Sequence, residues 1–240
     1  MNTQLPNTAG NHGSNIFLAL MQTSDIIHQN GETPLHMAIL DGHHERAVTL
    51  IENHANVNAT DWWDQTPLHY AARYGHTGIA LALIEKGANP NAANRFSQTP
   101  LHEAAQSGHT QTALALIQNG AKVNATDRFG YTPLHWAAAK GHTQIALTLI
   151  EKGAIIRATN QDGYTPQRCA EEAGQIRTAL AIMNAGKASV TNVTTGFPFL
   201  PRDVTALILQ YSGVLHGKIN IDDVVDCRRE LTTSIAPTAG

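Results

Sequence analysis

Thr33-Pro34-Leu35-His36 is written again at Thr66-Pro67-Leu68-His69, Thr99-Pro100-Leu101-His102 and Thr132-Pro133-Leu134-His135, with an altered copy at Thr165-Pro166-Gln167-Arg168. The interval is 33 residues at every step. A fixed period of that length marks a stack of supersecondary units, each too thin to bury its own apolar face. In each copy threonine suits an N-cap and proline the first helical position, so a helix is predicted to start there. It runs through the small pairs Ala71-Ala72, Ala104-Ala105 and Ala137-Ala138, which let a neighbouring helix come close. Gly42, Gly75, Gly108, Gly141 and Gly174 are placed to end it in the left-handed conformation. A second helix follows, with apolar residues at helical spacing: Ala47, Leu50, Ile51, and the same pattern at Ala80, Leu83, Ile84 and onward to Ala179, Ile182, Met183. Gly87, Gly120, Gly153 and Gly186 are predicted to close it, and His54 takes that place in the first copy at a modest backbone cost.

Composition agrees with thin stacked helices and excludes several functions. Only 5% of residues are aromatic and the net charge is -3, so no face offers the lysine and arginine density that phosphate neutralisation needs; no nucleic-acid partner is expected. No run of apolar residues is long enough to cross a membrane, and the opening residues lack the basic stretch of a signal peptide. The two cysteines, Cys169 and Cys227, stand in no metal or redox spacing and suit a reducing cytosol, so a cytoplasmic place of action is expected, reached in the chain's own cell or by secretion into a host. Of 13 histidines, four belong to the tetrapeptide and His43, His76, His109 and His142 follow the helix-ending glycines. These eight are expected to tie loops together through side-chain to backbone hydrogen bonds; they do not converge, so no metal or other cofactor is expected. Cys169 is read as a small buried residue, and no nucleophile with a base and an orienting group can be assembled. The chain is therefore not expected to be an enzyme.

The repeated residues resemble those of the ankyrin-repeat family over about residues 28 to 186, five copies in phase. That resemblance implies an all-α solenoid of helix-turn-helix repeats joined by short hairpin loops. It also implies that the turns before each threonine project as fingers, and that finger tips and first helices line a concave surface for a partner protein. Mapped here, that surface holds Trp62, Trp63, Arg95, Phe96, Arg128, Phe129, Tyr131 and Tyr164 from the fingers, and Tyr70, Arg73, Tyr74, Glu103, Trp136 and Lys140 from the helices. Nine of the chain's thirteen aromatics fall in this set, and Trp62, Trp63, Phe96 and Phe129 sit at turn tips, where folding gains little from a large ring. Tyr70 and Trp136 follow the motif histidine and have a packing role as an equal alternative. Tryptophan, tyrosine and arginine dominate binding energy at protein interfaces, so the tip stripe is read as a protein-binding site. The fingers of the second and third copies carry Asp64 and Ser97 where the next two carry Gly130 and Gly163, and a slightly different turn is expected in them.

Residues 1–27 are read as a polar tail with a capping half-repeat, 28–186 as the repeats, 187–196 as a linker and 197–240 as a helical segment too short to be stable alone. Leu200-Pro201, Val204, Ile208 and Tyr211 resemble an F-box-like motif, which implies an adaptor subunit of a cullin-type ubiquitin ligase as a second partner and an effector in a host cytosol as a setting. The alternative reading of that segment is a helical cap on the fifth repeat. The chain is expected to act as a monomer.

Overall fold

The computed structural model describes residues 30–191, with side chains to residue 186. The capping segment expected before residue 28 and the F-box-like residues Leu200, Pro201, Val204, Ile208 and Tyr211 lie outside the described residues. The chain divides into two compact units, Met1–Gly186 and Lys187–Gly240.

Among the described residues there are ten helices and no strands, in five pairs: α1 Pro34–Leu40 and α2 His44–Glu52; α3 Pro67–Arg73 and α4 Thr77–Glu85; α5 Pro100–Ser107 and α6 Thr110–Gln118; α7 Pro133–Ala139 and α8 Thr143–Glu151; α9 Pro166–Glu172 and α10 Ile176–Thr191. First helices pack on first helices, from α1 to α9, and second helices on second helices, from α2 to α8. The contact is close because Ala71, Ala72, Ala104, Ala105, Ala137 and Ala138 are fully buried between them. Leu35, Leu68, Leu101 and Leu134 fill one layer of the core, and Leu83, Leu116, Leu149 and Ile182 another. Truncating one of these leucines to alanine costs about 2–5 kcal/mol in a core of this kind.

The tetrapeptide is a reciprocal cap. Thr33, Thr66, Thr99 and Thr132 hold the extended N-cap conformation, with proline next. The histidine at the third helical position reaches back, its Nδ1 accepting from the threonine N–H at 3.2, 3.1, 3.0 and 3.1 Å in the four copies. This is the role glutamate or glutamine plays in an ordinary capping box. The other ring nitrogen crosses to the next repeat, where Nε2 meets the carbonyl oxygens of Gln65, Gln98, Tyr131 and Tyr164 at 3.0–3.1 Å. A carbonyl only accepts, so the proton sits on Nε2 and the ring is neutral. Burial lowers the pKa of His36, His69, His102 and His135, against the carbonyl bond, which pulls the other way. One ring thus ties its own helix start to a finger end 29 residues beyond the histidine.

Gly75, Gly108 and Gly141, after the three middle first helices, have two reasons to lack a side chain. Gly75 has φ +72, and a Cβ there would lie 2.5 Å from the ring of His109 in the next repeat. His54 adopts φ 62, as its place in the pattern predicts.

Gly186 departs from expectation, since α10 continues through it to Thr191. The earlier closures have a clamp that this one lacks. Asn58 donates from Nδ2 to Gly87 O at 3.0 Å and accepts from Asn89 N–H at 3.0 Å, and Asn91 and Asn124 grip the turns at Gly120 and Gly153 in the same way. The next residue in that register is Arg157, which has no amide with which to copy the clamp. Without it the glycine stays helical at a cost of about 1 kcal/mol relative to alanine.

Candidate functional site

Each finger hangs on one buried side chain. Asp61, Asn94, Asp127 and Asn160 are all at least nine-tenths buried. Their Oδ1 accepts from the N–H groups two and four residues on: Trp63 and Gln65, Phe96 and Gln98, Phe129 and Tyr131, Asp162 and Tyr164, at 2.8–3.0 Å. A backbone pair closes the same loop, as in Asp61 N–H to Gln65 O at 3.0 Å. The fourth finger residue has positive φ in every case, 58° at Asp64, 60° at Ser97, 81° at Gly130 and 76° at Gly163. The expectation of a different turn at Asp64 and Ser97 is therefore corrected. Four hydrogen bonds around the buried anchor impose one turn whatever stands at the corner, and short polar residues accept the left-handed region at tolerable cost.

Adjacent fingers are joined by single backbone bonds, Arg95 N–H to Trp63 O at 3.0 Å, Arg128 N–H to Phe96 O at 2.9 Å and Gln161 N–H to Phe129 O at 3.0 Å. This ladder sets the tips at a constant interval and brings their side chains into contact. Trp63 and Phe96 stack with centroids 6.2 Å apart and planes at 15°. The Arg128 guanidinium lies 5.0 Å from the Phe96 ring and 4.6 Å from the Phe129 ring, bridging the two. Trp63, 52% exposed, and Phe129, 46% exposed, are thus joined through Phe96 and Arg128 in a strip open to solvent, and Trp62, 59% exposed, lies over Gly31 in the same finger row. Arg95 pairs with Asp64 at 3.4 Å on the open side, a contact of little energetic weight.

The helix residues divide. Tyr70 is only 6% exposed; its hydroxyl donates to Asp61 Oδ2 at 3.0 Å and its ring meets His36 edge-on, and burial with the Asp61 charge raises its pKa. Glu103 is 3% exposed and receives both Nε and Nη2 of Arg73, at 3.0 and 2.9 Å. Of the expected contact residues, Tyr70 is thus buried as a finger anchor, and Glu103 is held by Arg73. Trp136 also anchors a finger, Nε1 donating to Asp127 Oδ2 at 3.1 Å, but it is half-buried and its ring, 5.5 Å from Tyr131, keeps one side open. Tyr74 and Lys140 are exposed, and Arg168 covers the Tyr164 ring at 4.7 Å.

Below the tips a groove of about 1000 Å³ runs between the fingers and the C-terminal ends of the first helices. It brings together Arg73, Phe96, Glu103, Phe129, Tyr131, Trp136 and Lys140 from the expected set, while Trp62, Trp63, Tyr70, Tyr74, Arg95, Arg128 and Tyr164 lie outside its lining. It adds Gln65, Gln98, Gln106, Ser107, His142 and Asp162, which sequence reading had passed over. The 33-residue register held the signal: Gln106 and Ser107 repeat the positions of Arg73 and Tyr74, and Asp162 repeats that of Phe129. Cys169 is buried, and burial, with Asp162 and Glu172, pushes its thiol up to about 11, which favours the protonated thiol near neutrality. Among the described residues no group of His, Cys, Asp and Glu gathers in a way that would hold a metal ion, and no helix is long and apolar enough to cross a membrane.

A sequence model described as ankyrin repeats, in three copies, matches residues 7–94, 66–127 and 101–193. No curated protein matches the chain.

Proposed function

The chain belongs to the ankyrin-repeat family, and from that premise we propose that it captures a partner protein on the strip formed by Trp62, Trp63, Phe96, Arg128 and Phe129 and in the groove beneath it. Ankyrin repeats are a protein–protein interaction module, and the family is in general a non-enzymatic scaffold. One observation carries the choice of surface. The finger turns are already held by their buried anchors, yet three large rings at their tips remain about half exposed, and the backbone ladder lines up Trp63 and Phe129 among them. Folding has no need of them there, whereas an interface does.

The test is affinity capture from a lysate with the full chain and with a variant carrying alanine at Trp62, Trp63, Phe96 and Arg128. The variant should lose the captured protein while its helical circular dichroism is unchanged and its melting point moves by a few degrees, because ring and cation–π contacts at exposed sites are worth about 0.5–1 kcal/mol each. Retention of the same protein by the variant would sink the proposal, and a collapsed melt would show that the rings hold the stack together instead.

A further inference from the structure

We infer that the segment taken into this groove is an extended acidic peptide, with apolar side chains on the floor and carboxylates on the two banks. The inference rests on the proposed binding strip and adds the chemistry of what it binds. The first helices are seven or eight residues long, so the finger bank and the helix-end bank lie about 10 Å apart along them. Side chains occupy part of that width, leaving room for a single extended chain. Phe96, Phe129 and Trp136 give the groove its apolar surface, among lining residues that are otherwise mostly polar. In an extended peptide successive side chains point to opposite faces, so one set can meet those rings while the other meets the banks.

Charge decides the rest. Arg73 and Glu103 cancel each other in the wall, Arg95 pairs with Asp64 and Arg168 with Glu172. Among the described residues Arg128, at the finger tips above the groove, and Lys140, in its helix-end wall, stand in no ion pair, although the chain as a whole carries a net charge of -3. Arg128 is preset for a carboxylate. Its guanidinium lies over both the Phe96 and Phe129 rings, contacts that leave its planar set of N–H donors free for a carboxylate. Asp162, in the fifth finger, is the opposing charge in the lining and marks the end of the groove from which acidic residues are turned away.

The experiment is calorimetric titration of the full chain with three short synthetic peptides in which leucine alternates with glutamate, glutamine or lysine. The glutamate peptide should bind tightest and weaken with added salt. Lys140→Met and Arg128→Met should each weaken it by about 2- to 5-fold, as single exposed charges do, with Arg128→Lys intermediate because it keeps the charge and loses the fork. Asp162→Asn should tighten it, a sign that general stickiness would not produce. Equal binding of the glutamate and glutamine peptides, lost together on alanine substitution at Trp63 and Phe96, would overturn the acidic assignment and leave the binding strip standing. Glutamate-peptide binding that survives that substitution undiminished would overturn both. Absence of heat with all three peptides would remove the acidic assignment alone, since protein capture is measured separately.

Discussion

The base and the tip of each finger are two residues apart in sequence and do opposite work. At the base, Asp61, Asn94, Asp127 and Asn160 are buried and every Oδ1 is committed to two backbone donors. At the tip, Trp63 and Phe129 are about half exposed, and their rings meet Phe96 and Arg128 of the tips. Damage at the base should therefore lower stability and binding together, whereas damage at the tip should lower binding alone. That separation can be attacked in order of effect.

The largest effect is expected from acid, through the four buried histidines that join each helix start to the finger base ahead of it. Their folded pKa values are lowered, so the folded state resists a proton that the unfolded chain accepts. Their contribution to stability is full above the unfolded value of about 6.5 and is lost as the pH falls through the lowered folded values. Within that window each histidine should remove up to about 1.4 kcal/mol per pH unit. Urea unfolding followed at a series of pH values below neutrality should show this slope, and His102→Gln, which cannot be protonated, should reduce it by about one proton. A flat profile would mean that the rings are not held neutral as their partners require.

Next comes the anchor itself. Asp61 and Asp127 use their second oxygen for Tyr70 Oη–H and Trp136 Nε1–H, whereas Asn94 and Asn160 leave a buried Nδ2 without a partner. The residues nine positions after them are Glu103, which is turned to Arg73, and Cys169. Asp127→Asn should therefore set one buried donor against another and cost about 1–3 kcal/mol, measured by urea unfolding. A loss of that size with capture reduced only in proportion to the folded fraction would sharpen the division between base and tip. A variant of unchanged stability that no longer binds would break it.

This division also explains what could be read in advance. The helix starts, the left-handed glycines and His54 followed from a period of 33 residues and from local chemistry, because caps and turns are settled within a few residues. The stripe of tips followed from the same period. The burial of Tyr70 and Glu103 was not legible because their partners, Asp61 and Arg73, lie nine and thirty residues away, and nothing local says that a tyrosine has turned inward. The helix through Gly186 was missed for a related reason: closure depends on an asparagine 29 residues earlier, as Asn58 is to Gly87, and Arg157 stands there instead. Such a dependence is written in the chain, but it shows only when the register is read across repeats.

The smallest expected effect concerns the corner residue, where the second and third fingers differ from the fourth and fifth. Ser97 holds φ 60° in a turn that Gly130 makes freely, and an L-residue in that region costs about 1–2 kcal/mol. Ser97→Gly relieves that strain but frees the unfolded chain, two effects that oppose each other. The net gain should be about 0.5 kcal/mol or less, read as a small rise in the urea midpoint with the slope unchanged. Binding should stay as it was, because the turn is dictated by Asn94 and the neighbouring Phe96 is held from Arg128 on its far side. Weakened capture by this variant, despite its equal or greater stability, would show that the corner shapes the tip after all, and that base and tip are less independent than their hydrogen bonds make them.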